Sequence, residues 1–358
     1  MSARACTLVP LALGVAVLAA CGSAQGRRTP TAAHAARGAP AAAAASASES
    51  SGAGAASVAA TAPCAGAAPE TLARTVGTVA TRVYGNELAS AEVNADRHQV
   101  ETFSPLLQAL AAGNRGATLA AVTTLVFSHT HIVRLRVTRG GSVIADVGGP
   151  EILAPVGGSL RLGGRTVGDY ALSVQDDSGY VKLVTRFIGV PLVLRAGSRS
   201  LPTEGALSPA PARVPAHGSL TFRGTVYQTF AFAARAFPSG PLEISLLSPV
   251  RPSLAQRTCA EIRTDELGDV ARRVSRRFSL EPSNLEAYIH ATAPLTGGLI
   301  YIRVTGAGAR QLAGSTQPGP GKLPLRGTVT YRARTYSVFS FSAPSSVGEL
   351  RIYQLIRP

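Results

Sequence analysis

Apolar positions recur with two periods along this chain, and the switches between them predict its elements. After Cys64-Ala65, Leu72, Val76, Val79 and Val83 return at helical spacing and fall on one helix face. The same spacing reappears after Cys259-Ala260 as Leu267, Val270, Val274 and Phe278. Residues 105–112 and 118–126 are also helical in pattern. Period-two alternation predicts strands over 131–138, 142–148, 169–175, 180–187, 242–247, 298–305 and 350–355. The Gly140-Gly141 and Gly163-Gly164 pairs supply turns between strands.

These blocks come in the same order twice. Aligned without gaps from the cysteines, Leu72 matches Leu267, Val79 matches Val274, Arg82 matches Arg277 and Val83 matches Phe278. The strand over 131–138 matches 298–305 through Arg136/Arg303, Val137/Val304 and Thr138/Thr305. A hairpin follows each time. Gly218, Thr221, Phe222, Arg223, Tyr227, Phe230 and Phe232 answer to Gly327, Thr330, Tyr331, Arg332, Tyr336, Phe339 and Phe341. The reading is an α+β unit made twice, over 64–250 and 251–358. The first copy carries extra segments before its strand and again over 145–202. A binding site is expected in those insertions, where the copies differ.

Residues 1–20 read as a secretory signal, with Arg4 as the positive region, an apolar run from Thr7, and Leu18-Ala19-Ala20-Cys21 at the processing site. That ending resembles the lipobox of bacterial lipoproteins. The resemblance implies cleavage before Cys21, acylation of its thiol, and anchoring on the outer face of the cell membrane. Residues 21–63 are nearly all Ala, Ser, Gly, Thr and Pro, which cannot bury a core and predicts a disordered tether. Cys64 and Cys259 are then the cysteines left for an oxidising compartment, and one disulfide between them is the simplest outcome. The net charge is +15, and apart from Lys182 and Lys322 the basic residues are all arginine. A basic surface suits anionic lipid, an acidic envelope polymer or an envelope protein. Nucleic acid is not an expected partner, since no binding motif accompanies the charge.

The first unit, over about 64–200, resembles the extracytoplasmic Cache or PDC-type sensor domains of bacteria. The likeness is carried by the strand at 131–137, the Gly140-Gly141 turn, Ser142-Val-Ile-Ala-Asp-Val-Gly148, and Gly164-Arg-Thr-Val-Gly-Asp-Tyr-Ala-Leu-Ser-Val-Gln175. It implies a helix packed on a PAS-like antiparallel sheet, with a small ligand held between sheet and loops. The receptors of that family usually add membrane helices and a cytoplasmic output domain. No apolar stretch after the signal would span a membrane, so a separate transducer or transporter is the expected partner.

Asp176-Asp177-Ser178-Gly179 lies between two strand patterns and reads as a hairpin turn, or as a carboxylate pair for a cation or amine. The expected pocket is Tyr170, Ser173, Gln175, Asp176, Asp177, Tyr180 and Lys182, as lining and polar contacts. His129 and His131 alternate onto one strand face and have no third ligand in view, so no metal or cofactor is expected. Arg272, Arg273, Arg276 and Arg277 lie opposite an apolar helix face and read as a solvated surface or an anion-binding one. No Gly-x-Ser-x-Gly elbow, phosphate loop or catalytic-type cysteine is present, and an enzyme is not expected.

Overall fold

The computed structural model describes residues 63–358 apart from 129–130, 150–151, 202–206, 208 and 306–309. The signal, Cys21, the tether as far as residue 62, and His129 lie outside the described residues. The fold is mixed α and β with antiparallel sheets.

Local chemistry sets the helix ends. Helix α1 (Ala68–Ala89) starts on Pro69 and stops at Ser90, whose Oγ accepts a hydrogen bond from Val93 N and so begins α2 (Ala91–Thr102). Helix α3 (Ser104–Ala111) again has proline in its first turn. Asn114 Oδ1 accepts from Ala117 N at 3.0 Å and opens α4 (Arg115–Ser128). Strands β1 (Arg134–Arg139) and β2 (Ser142–Gly148) meet at Gly140-Gly141, both at positive φ. Next come β3 (Ile152–Leu153), β4 (Val156–Leu162), β5 (Arg165–Ser173) and β6 (Gln175–Asp176).

Helix α5 (Asp177–Ile188) follows, and it corrects the sequence reading. Asp176 is its N-cap, with Oδ1 accepting from Gly179 N at 2.5 Å, and Gly189 ends it in the left-handed region. The segment 180–187 is therefore helix, and Asp176 to Gly179 are its first turn rather than a hairpin loop. Tyr180, Val181, Val184 and Ile188 are buried at helical spacing, which outweighs the alternation that suggested a strand.

The first half continues through β7 (Leu192–Ala196), β8 (Arg199–Ser200), β9 (His217–Phe222), β10 (Thr225–Phe237) and β11 (Gly240–Pro249). The second half is shorter. It comprises α6 (Cys259–Ser275), α7 (Leu285–Thr296), β12 (Leu299–Val304), β13 (Gln311–Gly314), β14 (Arg326–Tyr331), β15 (Arg334–Ala343) and β16 (Leu350–Ile356). A Thr258–Glu261 capping box opens α6.

Two sheets share a strand order. One runs β8-β7-β11-β10-β9, with β3 and β6 added beyond β10, and the other runs β13-β12-β16-β15-β14. Registers agree residue by residue. Tyr227 faces Leu220 as Tyr336 faces Val329, and Val193 faces Ser245 as Tyr301 faces Tyr353. The strand beside β11 that answers to β12 is thus β7. Strand β1, matched to β12 on local sequence, lies in a third sheet of order β2-β1-β5-β4.

The helices correspond as well, one turn away from the cysteine alignment. Gly77 meets the Phe230 ring as Gly268 meets the Phe339 ring, and a Cβ on either glycine would come within 2.1 Å of the ring. Tyr180 Oη donates to Ala80 O at 3.4 Å and Tyr288 Oη donates to Ala271 O at 3.1 Å. Arginines are exchanged between halves. Arg82 of α1 donates to Leu295 O at the end of α7 (3.0 Å), and Arg273 of α6 donates to Ile188 O at the end of α5 (2.6 Å). Helices α1, α5, α6 and α7 and the inner faces of both five-strand sets share one core.

Residues between α1 and α5 form a separate core. Val100, Leu106, Leu110, Val122 and Leu125 of α2–α4 pack on Leu135, Val137, Leu160, Tyr170 and Leu172 of the third sheet. The long N-terminal helix does not cover that sheet, as the resemblance implied; α1 packs on β10 and β11, and α2–α4 take its place. Cys64 and Cys259 form a disulfide with Cα atoms 4.8 Å apart.

Candidate functional site

The structure does not bring the seven expected pocket residues around one cavity. Tyr170 is buried in the inserted core, where its Oη donates to Glu101 Oε1 at 2.6 Å and accepts from Arg97 Nε at 3.4 Å. Burial and the Glu101 carboxylate push its phenol up to about 12. Ser173 is buried too, with Oγ donating to Leu153 O and accepting from Gln175 N. Half-buried Gln175 and Asp176 form β6, and Asp176 is occupied as a helix cap. Asp177 Oδ1 accepts from Ser178 N at 2.8 Å. Tyr180 is fully buried in the main core, while Lys182, two residues on, is exposed. Tyr170 and Tyr180 thus belong to two separate cores.

Two other expectations also change. His131 precedes β1, pairs with Glu92 through Nδ1, and so does not stand on the β1 face. Of the four arginines, Arg272 and Arg273 stand on α6 and Arg276 and Arg277 follow its end; Arg272 pairs with Asp269 at 2.8 Å. Arg273 is engaged with the α5 terminus and with Glu266 at 3.3 Å. Arg276 and Arg277 remain exposed. Among the described residues no group of three or more His, Cys, Asp or Glu is placed to hold a metal ion, and no helix is long and apolar enough to cross a membrane.

A polar pocket does open on the insertion, built from different residues. Strand β1 pairs with β5 so that Thr138 faces Asp169, which brings the β1–β2 and β4–β5 turns to the same end of the sheet. There Arg139, Gly140, Leu162, Arg165, Thr166 and Asp169, with Ala111 from α3, line a hollow of about 330 Å³. Arg139 is held by a hydrogen bond from Nη1 to Leu110 O at 2.9 Å. Asp169 Oδ1 accepts from Ser159 Oγ at 2.8 Å. Gly168 also lines the hollow, and a Cβ there would lie 2.7 Å from Thr138 O. With two arginines and one aspartate in its lining, the hollow carries a net positive charge, suited to a small anion or zwitterion. The sequence carried a signal for it, since an arginine flanks the Gly-Gly turn in both hairpins (Arg139 and Arg165).

No known protein family's sequence pattern matches the chain, and no curated protein is similar to it.

Proposed function

We propose that the chain is an extracytoplasmic lipoprotein, anchored through Cys21, that binds a small molecule and acts with a separate transducer or transporter. The binding module is the insertion between α1 and α5, a Cache-like unit with a PAS-like sheet. Support comes from its antiparallel β2-β1-β5-β4 sheet, its cover of three helices, and its independent core. The two halves around it are read as copies of one α+β unit, and shared strand order, registers and exchanged arginines support that.

The observation that carries the binding reading is the Arg139–Arg165–Asp169 pocket, placed on the insertion that one half has and the other lacks. The ligand class is a small anion with a carboxylate, with or without an amine for Asp169. No reaction is assigned to it. A thermal-shift screen of amino acids and small carboxylic acids tests the reading. A ligand at a hundredfold excess over Kd adds about 2.7 kcal/mol of stability. Arg139→Ala and Arg165→Ala should each remove that shift; no shift from any compound, or a shift that both variants keep, would overturn the assignment.

A further inference from the structure

Tyr84 of α1 gives the first half a set of contacts that the second half lacks. Its Oη accepts from Arg235 N at 2.9 Å and donates to Arg235 O at 3.2 Å. Its ring stands edge-on to Phe232 and to Tyr180, with centroids 6.2 Å apart in each case. The correspondence that pairs Gly77 with Gly268, Phe230 with Phe339 and Gly189 with Gly297 gives each of these residues a counterpart. Ser275 answers to Tyr84, Phe341 to Phe232, Pro344 to Arg235 and Tyr288 to Tyr180.

Ser275 brings no ring, and its hydroxyl turns back to donate to Arg272 O at 2.8 Å. Phe278 recovers one of the two ring contacts, standing edge-on to Tyr288 with centroids 5.8 Å apart. The other contact, on Phe341, has no counterpart among the described residues. Ser275, Phe278, Phe341 and Pro344 instead line a hollow of about 560 Å³. The residues answering to Tyr84 and to its partners Phe232 and Arg235 thus all border one space. Pro344 lacks the N–H that Arg235 offers and keeps only the carbonyl. Arg272 and Arg276 add positive charge to the lining, and Arg272 already has Asp269. Glu281 lines it as well, with its carboxylate accepting from Ser346 N at 3.1 Å.

We propose that this hollow binds a small hydroxylated aromatic acid, whose ring takes the place that the Tyr84 phenol has in the first half. The ring stands on Phe341, the hydroxyl donates to Pro344 O as Tyr84 Oη donates to Arg235 O, and the carboxylate meets the exposed Arg276 guanidinium. Aromatic and apolar walls supply the affinity, and an edge-on ring pair adds to it beyond simple burial. The hydroxyl fixes the direction of the ring, and the guanidinium selects an acid over an amine. The first half has no such site because its own tyrosine fills the place. The hollow is separate from the Arg139–Arg165–Asp169 pocket and does not depend on it.

Calorimetric titration of the full-length chain in detergent with para-hydroxyphenylacetate tests the proposal. It expects saturable binding at one site, several-fold weaker for phenylacetate, which lacks the hydroxyl. Ser275→Tyr, which fills the hollow as Tyr84 does, should abolish binding. Arg276→Ala, at an exposed position, should weaken binding about tenfold with an unchanged melting temperature, and Arg276→Lys should restore most of the loss. Absence of saturation, equal binding of the two acids, or full binding by Arg276→Ala would overturn the proposal. So would binding that Ser275→Tyr keeps, because the acid would then occupy another site; that result leaves the reading of the insertion pocket untouched.

Discussion

Arg82 and Arg273 make the same contact in the two halves, but only one of them has a buried carboxylate beside it, so replacing each in turn isolates that charge. Arg82 donates to Leu295 O, and its loss as Arg82→Met removes one hydrogen bond from a charged donor, about 2 kcal/mol. Arg273 donates to Ile188 O and also faces Glu266, whose side chain is 7% exposed. Arg273→Met strands that carboxylate, and breaking a buried pair on one side costs about 3–5 kcal/mol. Burial already holds the Glu266 carboxyl above its usual range, and the Arg273 charge and hydrogen bond oppose that rise. Without the arginine it rises further. The added cost should therefore grow as pH climbs from about 4.3, where the unfolded carboxyl ionises, and level off above the raised folded value. Urea denaturation at pH 5 and pH 7.5 measures it. At pH 7.5 Arg273→Met should lose about 2 kcal/mol more than Arg82→Met, and adding Glu266→Gln should recover most of the difference. Equal losses in the two single variants, or a loss for Arg273→Met that ignores pH, would refute the reasoning.

Glu87 gives a second pH effect. Burial, and then the Glu92 charge, push its carboxyl up to about 7, so the folded chain keeps a proton that the unfolded chain releases. Stability should fall by about 3 kcal/mol as pH rises from about 4.5 to 7, and Glu87→Gln should remove that part of the slope in melting-temperature profiles. For the Cys64–Cys259 bond, which joins residues 195 apart in sequence, reduction should cost about 5 kcal/mol on the chain-entropy account. Non-reducing peptide mapping should recover the two cysteines in one fragment; two free thiols would contradict the structure.

The hairpins were the most legible part of this sequence. Phe230/Phe339, Phe232/Phe341 and Tyr227/Tyr336 fall at the same registers in both sheets, because a strand shifted by one residue turns its apolar face to solvent. Helix α5 was misread because Asp, Ser and Gly serve a turn and a helix start equally well. The discriminating signal lay elsewhere in the chain. Tyr180 and Gly189 answer to Tyr288 and Gly297, and both glycines end a helix at positive φ. The candidate pocket was obscured for another reason. Tyrosines and carboxylates on half-buried segments suggest a site, but here tertiary packing claims them, as with Tyr170 against Glu101. The residues that do line a hollow are arginines at turns, which local sequence reads as ordinary surface.

The helical register shows why cysteines misled the alignment. Cys259 is the first residue of α6, whereas Cys64 lies one turn ahead of α1, which begins at Ala68. The disulfide therefore joins positions that do not correspond, and aligning from it slides one helix along the other by about one turn. A slip of four residues is close to the helical repeat, so apolar positions still coincide, and Leu72 falls on Leu267 as plausibly as Val76 does. Hydrophobic period cannot detect such an error. Contacts with other elements can, because each glycine must meet its own aromatic ring and each arginine its own helix end. Only the pairing of Gly77 with Gly268 and Arg82 with Arg273 satisfies both. That same register sets Ser275 against Tyr84, whereas under the cysteine alignment Ser275 would answer to Ala80.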